Sequence, residues 1–180
     1  MTGNPPTTRR GAVHRLALNA TSPDPAQRLA CIPPGRAALR TTAHTWGITS
    51  PTLDDLLTIA TELITNAIQH APPATIHATL RLAPAGDRAR IEVTDTGSRL
   101  PRPGARPGDQ DAERGRGLLM IAALADRWGV SPAAAGKTVW AELALSEAPD
   151  VPAITRQARR AAAIADVVAA CRQRATAALT

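Results

Sequence analysis

Phenylalanine and tyrosine are absent from this 180-residue chain, and its only aromatic rings are Trp46, Trp128 and Trp140. Three scattered indoles cannot form a face on which successive bases stack, which argues against a single-strand platform or an aromatic-faced RNA-binding sheet. Cysteine is nearly absent as well. Cys31 and Cys171 stand far apart, a usage that suits a reducing cytoplasm and offers no zinc spacing. No apolar run reaches the roughly 18 residues of a membrane-spanning helix. Met1 to Arg10 is polar and proline-rich, with none of the apolar stretch of a secretory signal, so the expected location is the cytoplasm. Lysine is scarce too. Arg outnumbers it twenty to one, which reads as coding bias alongside the abundant Ala and makes the overall basicity a poor guide to function.

What is present is enough apolar material, 44% of residues, for a core that buries about 70% of the unfolded surface. The length accommodates one domain and modest tails. The net charge of +6 is unevenly spread. Residues 1–15 carry +3, residues 153–180 carry +4, and the 137 residues between them carry −1. Basic ends of this kind can meet nucleic acid or an acidic partner, although a solvated tail is the commoner use.

Residues 1–12 read as a disordered arm, residues 13–147 as the folded domain, and residues 148–180 as a helical extension. A thin apolar stripe from Ile154 to Ala178 runs along that extension. Within the domain, alternation predicts a strand over 13–18, and the prolines of 19–34 predict a loop. A helix is expected from Gly35 to Trp46, stopped by Gly47. The strongest helix runs from Pro51 to Ala71. Ser50 can cap it, Asp54 and Asp55 favour its positive end, and Leu53, Leu56, Leu57, Ala60, Leu63, Ile64, Ala67 and Ile68 form one apolar stripe. Period-two alternation over 76–82 and from Ile91 onward predicts a hairpin turning at Pro84–Asp87. Residues 97–117 are the longest irregular stretch, of a length that is usually functional. A helix over 118–126, a short strand over 128–130 and a closing strand over 137–145 complete a mixed α/β domain.

Three groups of residues can carry chemistry. Glu62, Asn66 and His70 recur at four-residue steps and share one helix face. Such a face can simply be solvated, or it can bring together a carboxylate that orients a hydroxyl, an amide that ligates a hard cation and an imidazole that meets a phosphate. Asp95 continues the inward phase of Ile91 and Val93, so it requires donors. An adenine amino group, a nearby Arg or a turn amide would each serve. Gly115-Arg116-Gly117-Leu118 lies between the long loop and a helix, where free N–H groups suit a phosphate. Gly136-Lys137-Thr138 echoes the end of a Walker motif, but it lacks the upstream glycine and leads into a strand. His14, His44, His70 and His77 show no metal-ligand spacing.

In their order along the chain these segments resemble the gyrase, chaperone and histidine-kinase ATPase superfamily. Glu62 to Ala71 resembles its N box, Asp95-Thr96-Gly97 its Asp-x-Gly box, Gly115 to Leu118 its second glycine box, and Gly136 to Trp140 its closing strand. The resemblance covers roughly Leu16 to Leu145 and is nearest to the stand-alone bacterial serine kinases that act on anti-sigma-factor systems. It implies a two-layer α/β (α+β) sandwich, a mixed sheet with helices on one face, holding ATP and Mg²⁺. By the same resemblance Glu62 is the general base and Asn66 the Mg²⁺ ligand. Asp95 and Gly97 receive the adenine, Thr138 assists at the base, and Gly115, Arg116, Gly117, Leu118 and His70 serve the phosphates, with 98–114 as the lid.

Two functions from different classes follow. One is a serine/threonine kinase that phosphorylates a protein antagonist and holds a sigma factor, with a homodimer implied by the relatives. The other is an ATP-gated switch that binds a partner without phosphoryl transfer. A third and more remote reading, nucleic-acid binding through the Arg-rich ends, predicts steep salt dependence.

Overall fold

The computed structural model describes residues 11–97 and 115–145. The expected arm up to residue 10, the lid and the 148–180 extension lie outside the described residues. Gly11 and Ala12, expected in the arm, join the fold instead, since Gly11 N donates to Ala83 O and Leu82 N to Ala12 O.

Among the described residues, five strands and four helices follow in the order β1 (Val13–Ala20), α1 (Pro25–Leu29), α2 (Ile32–Thr45), α3 (Thr52–His70), β2 (Ala74–Leu82), β3 (Arg88–Asp95), α4 (Gly115–Leu124), β4 (Arg127–Ala133) and β5 (Gly136–Ala144). The strands form one sheet in the order β1-β2-β3-β5-β4. Every neighbouring pair is antiparallel, so the sheet is not mixed in strand sense. The reason lies in the last crossover. β3 and β4 run the same way, as strands joined through a helix do, but β5 turns back between them and separates the parallel pair.

The helices cover one face of this sheet, giving two layers around one core. Ile76, Ala78, Leu80, Leu82, Ala89, Ile91, Val93, Val139, Ala141 and Leu143 are buried at alternate positions, matching the period of two. Against them lies α3, whose stripe is fully buried together with Ile59. Deleting one of these side chains, as in Leu56→Ala or Ile64→Ala, costs about 2–5 kcal/mol for a residue of this kind. Ser50 does not cap the α3 backbone; its hydroxyl is 3.0 Å from Asp54 Oδ2.

The region 19–34 holds more helix than its prolines imply. Asp24 Oδ1 accepts from Ala26 N at 2.9 Å and caps α1, with Pro25 in the first turn. Pro33 and Pro34 occupy the opening turn of α2, where a missing N–H leaves nothing unpaired. Arg28 of α1 then donates to Ile68 O at 3.1 Å and to Ala71 O at 3.5 Å. A cation thus sits on carbonyls at the α3 C-terminus, fixing the end of the helix that carries Glu62, Asn66 and His70.

Candidate functional site

Asp95 ends β3 with 4% exposure, pointing inward in phase with Ile91 and Val93. Its register partner on β5 is Lys137. Lys137 Nζ lies 2.8 Å from Asp95 Oδ1, and Gly97 N donates to the same oxygen at 2.7 Å. Of the donors left open by sequence, the turn amide is therefore present, joined by an ammonium that the residue pattern had not singled out. The available signal was phase: Lys137 alternates with Val139, Ala141 and Leu143, and a lysine on a core face requires an acid opposite.

Glycine is required at two places here. A Cβ on Gly97 would stand 3.0 Å from Asp95 Oδ1, 3.0 Å from His70 O and 3.1 Å from Lys137 Nζ. A Cβ on Gly136 would collide with the Asp95 carbonyl and stand 2.7 Å from Thr96 Cα. The Asp95–Gly97 turn thus passes between the end of α3 and the start of β5 with no room for a side chain at Gly136 and little at Gly97.

Glu62 and Asn66 on α3 are half-buried, not solvated. They face α4, where a Cβ on Gly117 would stand 2.6 Å from Glu62 Oε2 and 3.3 Å from Asn66 Nδ2. The second glycine segment is thereby brought onto the N-box face. Helix α4 begins at Gly115, three residues earlier than its periodicity implies, and ends at Leu124. Gly115, Arg116, Gly117 and Leu118 form its first turn, whose N–H groups have no partner within the helix. The Leu118 side chain is buried in the core. Burial pushes the Glu62 carboxyl above its ordinary value, which makes it a stronger base once ionised.

Two expected residues stand differently. Thr138 does not converge on Asp95. It faces the opposite side of the sheet, where its hydroxyl lies 2.7 Å from that of Thr94, because adjacent strand residues point to opposite faces. His70 closes α3, and its backbone carbonyl borders Gly97.

The donor set fits a nucleotide with a hard cation. A buried carboxylate is available to an exocyclic amine, an amide oxygen is available to a metal, and the bare α-carbon of Gly117 lets α4 approach Glu62 and Asn66 more closely than a methyl group would allow. Residues 26–143 match the histidine kinase-like ATPase domain. This chain belongs to that family. A 73-residue stretch, 39% of the chain, is 40% identical to the uncharacterized protein SCO4941 of Streptomyces coelicolor and covers 67% of it. The matched span includes Glu62, Asn66 and Gly117 of the helical layer and Asp95 and Gly97 at the end of β3. Among the described residues no helix is long and apolar enough to cross a membrane.

Proposed function

We propose that this chain binds ATP with Mg²⁺ and transfers the terminal phosphoryl group to a serine or threonine of a protein antagonist in a transcription-factor circuit. The observation that carries the reading is the contact of Gly117 with both Glu62 and Asn66. The reading is supported by the nearness of Glu62 and Asn66 to the first turn of α4, because the free N–H groups of a helix N-terminus favour phosphate.

Each residue then has a defined task. Asp95, oriented by Gly97 N and Lys137 Nζ, accepts from the adenine amino group. The Asn66 amide oxygen holds the cation, and the first turn of α4 receives the phosphates. Glu62 takes the proton from the acceptor hydroxyl, a role suited to a carboxyl whose pKa is raised by burial. Bound ATP and its cation supply the phosphoryl group and neutralise the charge that develops on its oxygens. Asp95 and Glu62 belong to different layers, so base recognition and proton removal are separable by mutation.

The test is incubation of the protein with Mg²⁺, γ-labelled ATP and candidate antagonist proteins. Label on a Ser or Thr of the antagonist, abolished in Glu62→Ala while ATP still binds, is the expected result. ATP-dependent retention of a partner with no label transfer would replace the kinase with the gated switch. No binding of ATP would overturn both.

A further inference from the structure

Lys137 is the one lysine among the 21 Lys and Arg residues of the chain. It is also buried, its side chain 7% exposed against 2% for that of Asp95. A buried ammonium is tolerated only when paired and hydrogen-bonded. Lys137 Nζ meets this need twice, at Asp95 Oδ1 (2.8 Å) and at Gly97 O (3.2 Å). An ammonium has three N–H donors, so among the described residues one remains. Asp95 is in the matching position, because both of its donors among the described residues fall on Oδ1. Side by side at the ends of β3 and β5 there is thus a carboxylate oxygen that accepts and an N–H that donates.

That order, acceptor beside donor, is the complement of one purine edge. Adenine carries a 6-amino donor next to the N1 acceptor. Guanine and hypoxanthine carry the reverse, a 6-oxo acceptor next to an N1–H donor. We propose that Lys137 reads the base: its free N–H donates to N1 of the same adenine whose amino group donates to Asp95. A 6-oxo purine would set its carbonyl against the carboxylate and its N1–H against the ammonium, two mismatches at a buried site. Lysine suits the place where arginine does not. Its compact head bridges Asp95 Oδ1, Gly97 O and a ligand atom, whereas a planar fork would need space beside Gly97, whose absent Cβ already lies 3.1 Å from Nζ.

This role rests on the ATP-binding reading and is tested so that the two can fail separately. The full chain is titrated calorimetrically, with Mg²⁺, against ATP, 1-deaza-ATP (N1 replaced by C–H, amino group kept) and inosine triphosphate. Loss of one hydrogen bond to a charged donor predicts that 1-deaza-ATP binds roughly ten- to a hundredfold more weakly than ATP, with inosine triphosphate weaker still. In Lys137→Met the gap between ATP and 1-deaza-ATP closes. Should that variant not fold, the wild-type comparison decides alone. It is joined by the single side-chain ammonium resonance of ¹⁵N-lysine-labelled protein, expected to move differently with ATP than with 1-deaza-ATP. Equal affinities for the two nucleotides, or identical resonance shifts, would reduce Lys137 to a staple on the Asp95–Gly97 turn and leave ATP binding intact. No affinity for ATP would remove the nucleotide reading and this role together.

Discussion

The two faces of the β3–β5 pair carry ionic groups in opposite styles. On the helix side a single pair, Asp95 and Lys137, is buried and joined at 2.8 Å. On the outer side a ladder runs across four strands. Arg81 and Arg90 both hold Glu92, at 2.9 and 2.8 Å, and Arg90 also holds Glu142 at 2.9 Å. Arg127 approaches Glu142 at 3.8 Å, and the Arg90 guanidinium lies 3.9 Å from the centre of the Trp140 ring. The ladder spreads its charge over partly hydrated side chains, so each contact is worth little and any one can be lost. The buried pair has no such redundancy. Removing either member strands the other in a dry environment, and a protein that only needed a stable strand end would place apolar residues there. The proposed base-recognition role gives the inner pair a reason to be there, whereas the outer ladder reinforces the sheet.

The sharpest way to break this comparison is Lys137→Met, which leaves Asp95 buried without its counter-ion, held only by Gly97 N among the described residues. A loss of about 3–5 kcal/mol in urea unfolding is expected. The double variant Asp95→Leu with Lys137→Met should recover most of that loss while losing the acceptor for the adenine amino group, and with it the nucleotide affinity that Lys137→Met alone retains. A double variant as unstable as the single one would show that the pair is structural at heart.

Glu62→Gln comes next, expected to lower label transfer by roughly 10²–10⁴-fold, the usual contribution of a general base. Transfer by the wild type should rise with pH through the raised value of Glu62. Stability has the opposite sense. A carboxyl raised by burial favours folding below its ordinary value, and that advantage is lost as pH rises through the raised one. Glu62→Gln should therefore be more stable than wild type at neutral pH, with the difference disappearing in acid. A pH-independent difference between the two melting curves would contradict the assigned cause.

Gly117→Ala tests the meeting of the two helices. The new methyl group displaces the Glu62 carboxylate, and a misplacement near 1 Å predicts a loss of up to about a hundredfold in transfer. Because the carboxylate is the far end of a flexible side chain, the melting temperature should barely move. On the outer face, Arg90→Ala removes two ion pairs and the indole contact, and about 1 kcal/mol is expected. The smallest effect is that of Arg127→Ala, whose side chain is 70% exposed and whose removal should leave chemical denaturation unchanged. A loss from Arg90→Ala equal to that of Lys137→Met would erase the distinction between the faces.

Much of this architecture was legible because period and phase are local properties. The stripe of α3 and the alternation of β2 and β3 fixed which residues face the core, and with them the inward turn of Asp95. Helix α1 was hidden by prolines that in fact sit in first turns, beside the cap supplied by Asp24. The partner of Asp95 was hidden for a different reason. Lys137 is 42 residues away, and strand register across such a distance depends on β5 slotting between β3 and β4, which no local pattern encodes. Thr138 was placed by family likeness, although its position one residue from inward-facing Lys137 already implied the opposite face. The half-burial of Glu62 and Asn66 likewise depends on α4, which arrives from a distant part of the chain.

That interior placement of β5 has a consequence for synthesis. The last strand of the described domain to leave the ribosome is one of the middle ones, so a nascent or truncated chain ending before Gly136 has an open gap beside β3 and no counter-ion for its acid. An incomplete copy therefore meets quality control with an exposed seam beside β3, where the finished sheet is closed by its late-arriving neighbour.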